Sequence, residues 1–186
     1  MSRLLKASEI NRLPVVTVTG GEDVAEVKDV IYGATEGRLL GFTLNKRGFL
    51  TGKLKQVLPA ESVTAIGRHA VMIEDETCLV DKSDAPVEVA KPQNDRNVLG
   101  NEVLTEGGTR LGTVTDLVVM TGTNGEVVGY ELTRDDSRDT WFIPRPAQLA
   151  VSGAALLVPN DLEGFVVDDL SGFGGAVDRY RQEHRG

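Results

Sequence analysis

The chain has 186 residues, of which 40% are hydrophobic and 26% are charged, a composition typical of globular proteins rather than disordered or membrane-embedded chains. Its net charge of −8 argues against a general nucleic-acid binder, because such proteins need a basic face. Cys78 is the single cysteine and cannot form an internal disulfide, and no apolar run approaches the ~20 residues that span a bilayer. We therefore expect a cytoplasmic protein without a transmembrane segment.

Short strands dominate the predicted elements of the first half. Alternating apolar residues and bounding glycines or prolines are typical of strands in a small antiparallel barrel or sandwich. The predicted strands cover residues 24–32, 39–44, 49–57, 63–66 and 70–73. Pro59 marks a corner between the third and fourth of them, and residues 67–69 form a tight reversal between the last two.

An internal repeat explains why the second half follows the same order. Residues 20–31 recur 87 positions later at 107–118, each as two glycines, two polar residues and an alternating strand that carries an aspartate, Asp29 or Asp116. Further matches follow in the same order. They are Gly41-Phe42 with Gly129-Tyr130, Pro59 with Pro144, and 65–73 with 150–158.

The repeat predicts two domains and two accessory segments. We assign residues 1–80 and 96–160 to the domains. Residues 81–95, with Pro86 and Pro92, have the composition of a linker, and residues 161–186 form a C-terminal tail. The best candidate for a helix is 175–184 in that tail, which looks too polar for a core element.

The repeated motif resembles the PRC-barrel family. The resemblance is carried by 24–30 with Gly41-Phe42 and by 111–117 with Gly129-Tyr130, together with the corners at Pro59 and Pro144. The family includes the cytoplasmic domain of the photosynthetic reaction centre H subunit and the C-terminal domain of the ribosome maturation factor RimM. It implies an all-β fold of two small PRC-type β-barrels in tandem with a short C-terminal tail. It also implies a module that serves assembly rather than catalysis, although fold does not fix function.

Candidate catalytic and metal-binding residues are few. Asp29 and Asp116 are either contact residues or, by the simpler interpretation, acceptors of backbone N–H groups at a strand end or turn. His69 and His184 lack the neighbouring pattern of a nucleophile and its base. The acidic stretches around 135–139 and 161–169 lack ligand spacing. We expect no enzyme activity, no metal site and no cofactor.

The two copies differ most in charge. Residues 1–93 carry 12 Lys and Arg against 13 Asp and Glu, whereas residues 94–186 carry 8 against 15. The contrast is sharpest in one hairpin, which is basic over 45–55 and mostly acidic over 133–142. Ordinary surface variation is one explanation. The alternative is a binding surface, for which the candidate residues are Lys46, Arg47, Phe49, Lys53, Lys55 and Trp141.

These observations favour a non-enzymatic adaptor or scaffold that binds another protein, or a second copy of itself, with peripheral contact to a membrane face as one setting. The alternative is an assembly factor associated with RNA or the ribosome.

Overall fold

The computed structural model describes residues 3–47, 52–91, 98–134, 137–152 and 154–185. Strands make up most of the regular structure in these ranges. The strands are β1 (Leu4–Lys6), β2 (Pro14–Thr17), β3 (Asp23–Gly33), β4 (Arg38–Asn45), β5 (Lys53–Pro59), β6 (Val63–Ile66), β7 (Val71–Ile73), β8 (Val80–Asp81), β9 (Glu102–Thr105), β10 (Arg110–Met120), β11 (Val127–Thr133), β12 (Thr140–Pro144), β13 (Ala150–Val151) and β14 (Ala155–Val158). The helices are α1 (Ala7–Ile10), α2 (Val87–Ala90) and α3 (Leu170–Glu183).

The strands of the two copies are arranged in the same order within their sheets. The first sheet runs β6-β7-β2-β3-β4-β5-β8, and the second runs β13-β14-β9-β10-β11-β12, with β1 added beside β10. Strands β2 to β7 therefore correspond one by one to β9 to β14, including the parallel contacts of β2 with β7 and of β9 with β14. The predicted tandem of two small β-domains is confirmed.

Each repeated glycine lies opposite the repeated proline of the next strand. Gly41 pairs with Pro59, and Gly129 pairs with Pro144. A Cβ atom at Gly41 would lie 2.7 Å from the carbonyl oxygen of Leu58, and one at Gly129 would lie 2.2 Å from that of Ile143. Neither position has room for a side chain, which is the physical reason for glycine in the motif.

The segments after each sheet are also related by the repeat. Gly41 is covered by Val89 of α2, and Gly129 is covered by Phe173 of α3. The first sheet gains β8 beside β5, with Val57 opposite Val80, while Val167 bridges Phe142 at the matching place in the second. Within the predicted linker 81–95, Asp81 of β8 and the helix α2 thus pack on the first sheet. The division into 1–80, 81–95, 96–160 and 161–186 stays a prediction.

The C-terminal helix α3 is longer than the predicted helix 175–184, and it packs an apolar face into the protein. It begins at Leu170 instead of residue 175, after the side chain of Asp169 accepts a hydrogen bond from the backbone N–H of Gly172. Its buried side chains recur at three- and four-residue intervals, which places them on one face. They are Phe173, Ala176, Val177 and Tyr180. The prediction of a helix too polar to join the core was wrong. Three glycines lie among the apolar residues of this segment, so the apolar face is hard to detect in the sequence.

A shared core joins the copies, since one cluster of buried side chains includes residues of both sheets. Two reciprocal hydrogen bonds lie at the junction. Leu39 N–H donates to the Gly125 carbonyl at 2.7 Å, and Val127 N–H donates to the Gly37 carbonyl at 3.1 Å. These residues are equivalent in the repeat, so the copies are related here by an approximate two-fold axis.

Candidate interaction surface

Three lysines of the predicted basic hairpin lie at one end of the β4–β5 pair, where Asn45 is opposite Lys53. Lys46 follows β4 directly, and Lys53 and Lys55 lie two residues apart on β5, so their side chains leave the same face of the strand. All three are exposed. Within the described residues, no ion pair or side-chain hydrogen bond involves any of these ammonium groups. We call Lys46, Lys53 and Lys55 the lysine surface.

Arg47 differs from these lysines because its charge is already paired. Its guanidinium lies 2.6 Å from the Asp23 carboxylate and 3.0 Å from that of Glu26. The hydrogen bonds that Arg47 donates to the Asp23 carboxylate raise the pKa of Arg47. The group therefore anchors the hairpin to β3, and it offers less free charge to a partner than the lysines do.

Trp141, one of the two predicted aromatic anchors, does not lie on this surface. Phe49 lies outside the described residues. Trp141 lies on β12 of the second sheet, half-buried, with the Arg134 guanidinium 5.0 Å from its ring centroid. That distance is within the range of a cation–π contact. The part of Trp141 as an anchor stays a prediction.

The repeated aspartates have unlike surroundings. The Asp116 carboxylate is buried and accepts the backbone N–H groups of Ser8 at 3.2 Å and Leu117 at 2.8 Å, and the Ser8 hydroxyl also donates to it. Asp116 thus accepts backbone N–H groups inside β10 and not at its end, and its part in the motif stays a prediction. The Asp29 side chain is 60% exposed and lies 3.6 Å from Lys28. No backbone N–H in the described ranges donates to it, whereas the donors at Asp116 come from Ser8 of α1 and from Leu117.

A polar cluster beside Asp116 went unnoticed in the sequence. The Lys6 ammonium lies 3.2 Å from the Glu131 carboxylate, which also accepts the Thr115 hydroxyl at 3.0 Å. Burial lowers the pKa of Lys6, but the hydrogen bond and the charge of Glu131 have the larger combined effect. The pKa of Lys6 is therefore raised. The signal in the sequence was Glu131 itself, an acidic residue in a mostly apolar strand at the position where the first copy has Thr43. The cluster fastens the N-terminal strand to the second sheet.

A second overlooked cluster lies where the copies meet. The Tyr32 and Tyr130 hydroxyl groups are 2.8 Å apart, and burial raises the pKa of both phenols. Arg145 reaches the same place and donates through Nη2 to the carbonyl oxygens of Ala34 and Thr35, at 3.2 Å each. Both phenols are protonated at neutral pH, so the cluster is a hydrogen-bonded junction rather than a base.

The histidines and the cysteine do not converge. His69 is exposed on the turn between β6 and β7, and Cys78 is a half-buried free thiol. His184 lies at the end of α3, with Nε2 2.5 Å from the Asp161 carboxylate. Over the described ranges, no group of three or more His, Cys, Asp or Glu side chains is placed to hold a metal ion. Asp135 and Asp136 lie outside those ranges.

The model of the PRC-barrel domain matches the chain twice, over residues 3–77 and 94–161, which together make up most of it. The chain belongs to the PRC-barrel family, and it holds two PRC-barrel domains in tandem. PRC-barrel domains are found in adaptor, scaffold and assembly-type proteins, and the fold is in general non-catalytic. No curated protein matches the chain.

Among the helices that the structure describes, none has both the length and the apolar character needed to cross a bilayer.

Proposed function

We propose that this protein is a non-enzymatic, cytoplasmic adaptor that holds a partner protein in an assembly, with a membrane face as one setting. The observation that carries the proposal is the lysine surface, Lys46, Lys53 and Lys55, whose three ammonium groups are exposed and unpaired among the described residues. A cationic group of this kind on an acidic chain of net charge −8 is positioned to orient a partner of opposite charge.

The partner is then a protein with an acidic contact surface. Arg47 stays on Asp23 and Glu26 and fixes the hairpin that presents the lysines. Because exposed charges are screened by salt, binding through them weakens as ionic strength rises. Salt dependence is therefore part of the expected behaviour.

The test is reversal of the lysine charges. The triple variant Lys46→Glu, Lys53→Glu, Lys55→Glu is used beside wild type to capture proteins from a lysate of the native host. A control variant changes three other exposed cations, Lys91, Arg138 and Arg179, to Glu, and so has the same net charge. Captured proteins are quantified by mass spectrometry, and the principal one is purified for direct binding.

We expect the purified partner to bind the lysine variant about tenfold more weakly or worse, a loss of about 1.4 kcal/mol. The control variant should bind within about twofold of wild type, since its changes lie away from the surface. Equal binding by all three proteins would remove the lysine surface from the proposal.

A second candidate function is an assembly factor that binds RNA or the ribosome. The unpaired lysines favour it, because phosphate groups bind exposed cations. Co-sedimentation with ribosomal particles separates the two candidates. An RNA-bound protein travels with the particles at low salt and leaves them at high salt, whereas absence from every particle fraction at both salt concentrations eliminates this candidate.

A further inference from the structure

Each sheet has an edge strand, β6 in the first copy and β13 in the second. Each copy also has a turn between its two longest strands, residues 34–37 in the first and 121–126 in the second. The repeat allows the contact of each edge strand with the turn of the other copy to be compared. On one side the turn of the second copy meets β6. The Ile66 N–H donates to the Thr123 carbonyl at 3.0 Å, and the Gly122 N–H donates to the Ile66 carbonyl at 3.0 Å. The outward backbone groups of this edge strand are thus satisfied by the chain itself.

The equivalent edge in the second copy is open. Val151 takes the place of Ile66 and lies opposite Leu156, as Ile66 lies opposite Val71. The neighbouring bonds also match, from Ser152 N–H to Ala155 and from Gly67 N–H to Ala70, both at 2.9 Å. The N–H and C=O of Val151 therefore point away from β14, as those of Ile66 point away from β7. In the described part of the chain, neither bonds to the turn of the first copy.

One residue difference explains the opening. Arg145 follows the second corner proline, where the first copy has the small residue Ala60. Its guanidinium donates a hydrogen bond to the Thr35 carbonyl. Thr35 is the counterpart of Thr123, whose carbonyl accepts the hydrogen bond from the Ile66 N–H. A long side chain thus lies where the equivalent contact has backbone against backbone, and the turn does not close on β13.

Next to this edge, at Ala150 of β13, lies a cleft of about 410 Å³, within the size range of ligand sites. Its lining residues include Thr35, Glu106, Arg145, Leu149, Ala150 and Leu157. Leu157 is 43% exposed, one of the few large apolar side chains in the described ranges that is so open to water. The single cation and single carboxylate of the lining balance each other, so the cleft favours an uncharged occupant. Half of the lining residues are apolar, namely Ala147, Leu149, Ala150 and Leu157, and these suit apolar side chains.

We propose that this cleft binds an extended apolar segment of a partner protein, which adds as a strand to the Val151 edge. The chain itself provides the precedent, because residues 122–123 make the two backbone bonds to Ile66 at the equivalent place. Strand addition supplies affinity through main-chain hydrogen bonds and specificity through alternate side chains. This inference rests on the proposed adaptor function and adds a surface that is separate from the lysines.

A phage-displayed library of random linear peptides is the probe. The full chain is panned, and enriched peptides are synthesised and measured by fluorescence polarisation. We expect apolar sequences that slow hydrogen exchange at the Val151 amide when they bind. Leu157→Glu should weaken their binding about tenfold or more, because it places a charge in the apolar cleft. Leu157→Ser, a milder change, serves if the first variant does not fold. The matched control is Val18→Glu, an apolar side chain that is 52% exposed elsewhere.

Several results would overturn the inference. One is a panning experiment that enriches no peptide, and another is binding that Leu157→Glu leaves unchanged or that does not slow exchange at Val151. A dimer that sediments in wild type and dissociates in Leu157→Glu would show that a second copy occupies the cleft instead. The lysine variant should bind the peptides as tightly as wild type. If it does while partner capture is insensitive to the lysines, the lysine surface fails and the cleft stands.

Discussion

At the scale of single residues, the end of α3 carries a contact that depends on protonation. The His184 ring stacks on Tyr180 with 4.1 Å between centroids, and its nitrogens contact the Tyr180 carbonyl and the Asp161 carboxylate. The hydrogen bond to the Tyr180 carbonyl, followed by that to Asp161, raises the pKa of His184 above its usual 6.5. The imidazolium is therefore the form that the folded protein prefers.

The sign of the pH effect follows from this direction. A raised folded-state pKa means that the contact stabilises the protein fully below pH 6.5 and loses its effect as the pH rises through the higher folded value. We expect the difference in melting temperature between wild type and His184→Gln to shrink from pH 5.5 to pH 8.5. His69→Gln, on an exposed turn, is the control. A difference that stays constant or grows across this range would contradict the assignment.

At the scale of elements, the contact between helix and sheet is set by glycine. A Cβ at position 129 would meet both the Ile143 carbonyl and, at 2.3 Å, the Phe173 ring of α3. The carbonyl belongs to the neighbouring strand and cannot move without breaking the β11–β12 ladder. Here the motif glycine serves packing, since no positive φ angle is recorded for it.

Gly129→Ala should accordingly lower the free energy of unfolding by about 2 kcal/mol or more, as overpacking does in a dense core. Gly175→Ala is the matched control, because nothing lies within 4 Å of a Cβ there. It should stabilise α3 by about 1 kcal/mol through the higher helix propensity of alanine. Denaturant titrations of the two variants measure both values. If the free energy of unfolding of Gly129→Ala equals that of wild type, α3 is not packed against β11 as described.

At the scale of the whole molecule, the shared core and the bonds between Leu39 and Gly125 and between Val127 and Gly37 make the copies depend on each other. The N-terminal strand β1 crosses to pair with β10, so the first residues of the chain complete the second sheet. Two domains that merely followed each other would have neither feature.

Coupled unfolding is the expected consequence. Trp141 is the only tryptophan and lies in the second copy, so its fluorescence reports on that copy alone. Phe42→Ala removes a fully buried ring from the first copy and should cost about 3–5 kcal/mol. We expect the Trp141 transition to shift as far as the far-UV circular dichroism transition. An unshifted Trp141 transition beside a biphasic dichroism curve would show that the copies unfold independently.

Much of the architecture could be predicted from local pattern. Alternating apolar residues, the paired glycines at 41 and 129 and the prolines at 59 and 144 recur in order, and each has a local physical cause. The helix α3 was predicted only in part, because Gly172, Gly174 and Gly175 lower the apolar character of the stretch that holds Phe173. The lysine surface could be named in advance because exposed charge is visible in composition, whereas the ion pairs of Arg47 with Asp23 and Glu26 depend on how β3 meets the hairpin.

The sequence by itself determined that this chain is a tandem of two related β-domains with unlike charges, because periodicity, turn residues and charge are local properties. Only the tertiary structure decided which equivalent positions became different. Asp116 is buried under Ser8 while Asp29 is exposed, and the edge at Ile66 is closed while the edge at Val151 is open. Each of these differences depends on a contact between distant parts of the chain: Ser8 with Asp116, residues 122–123 with Ile66, and Arg145 with Thr35. Such contacts leave no periodic trace in the sequence.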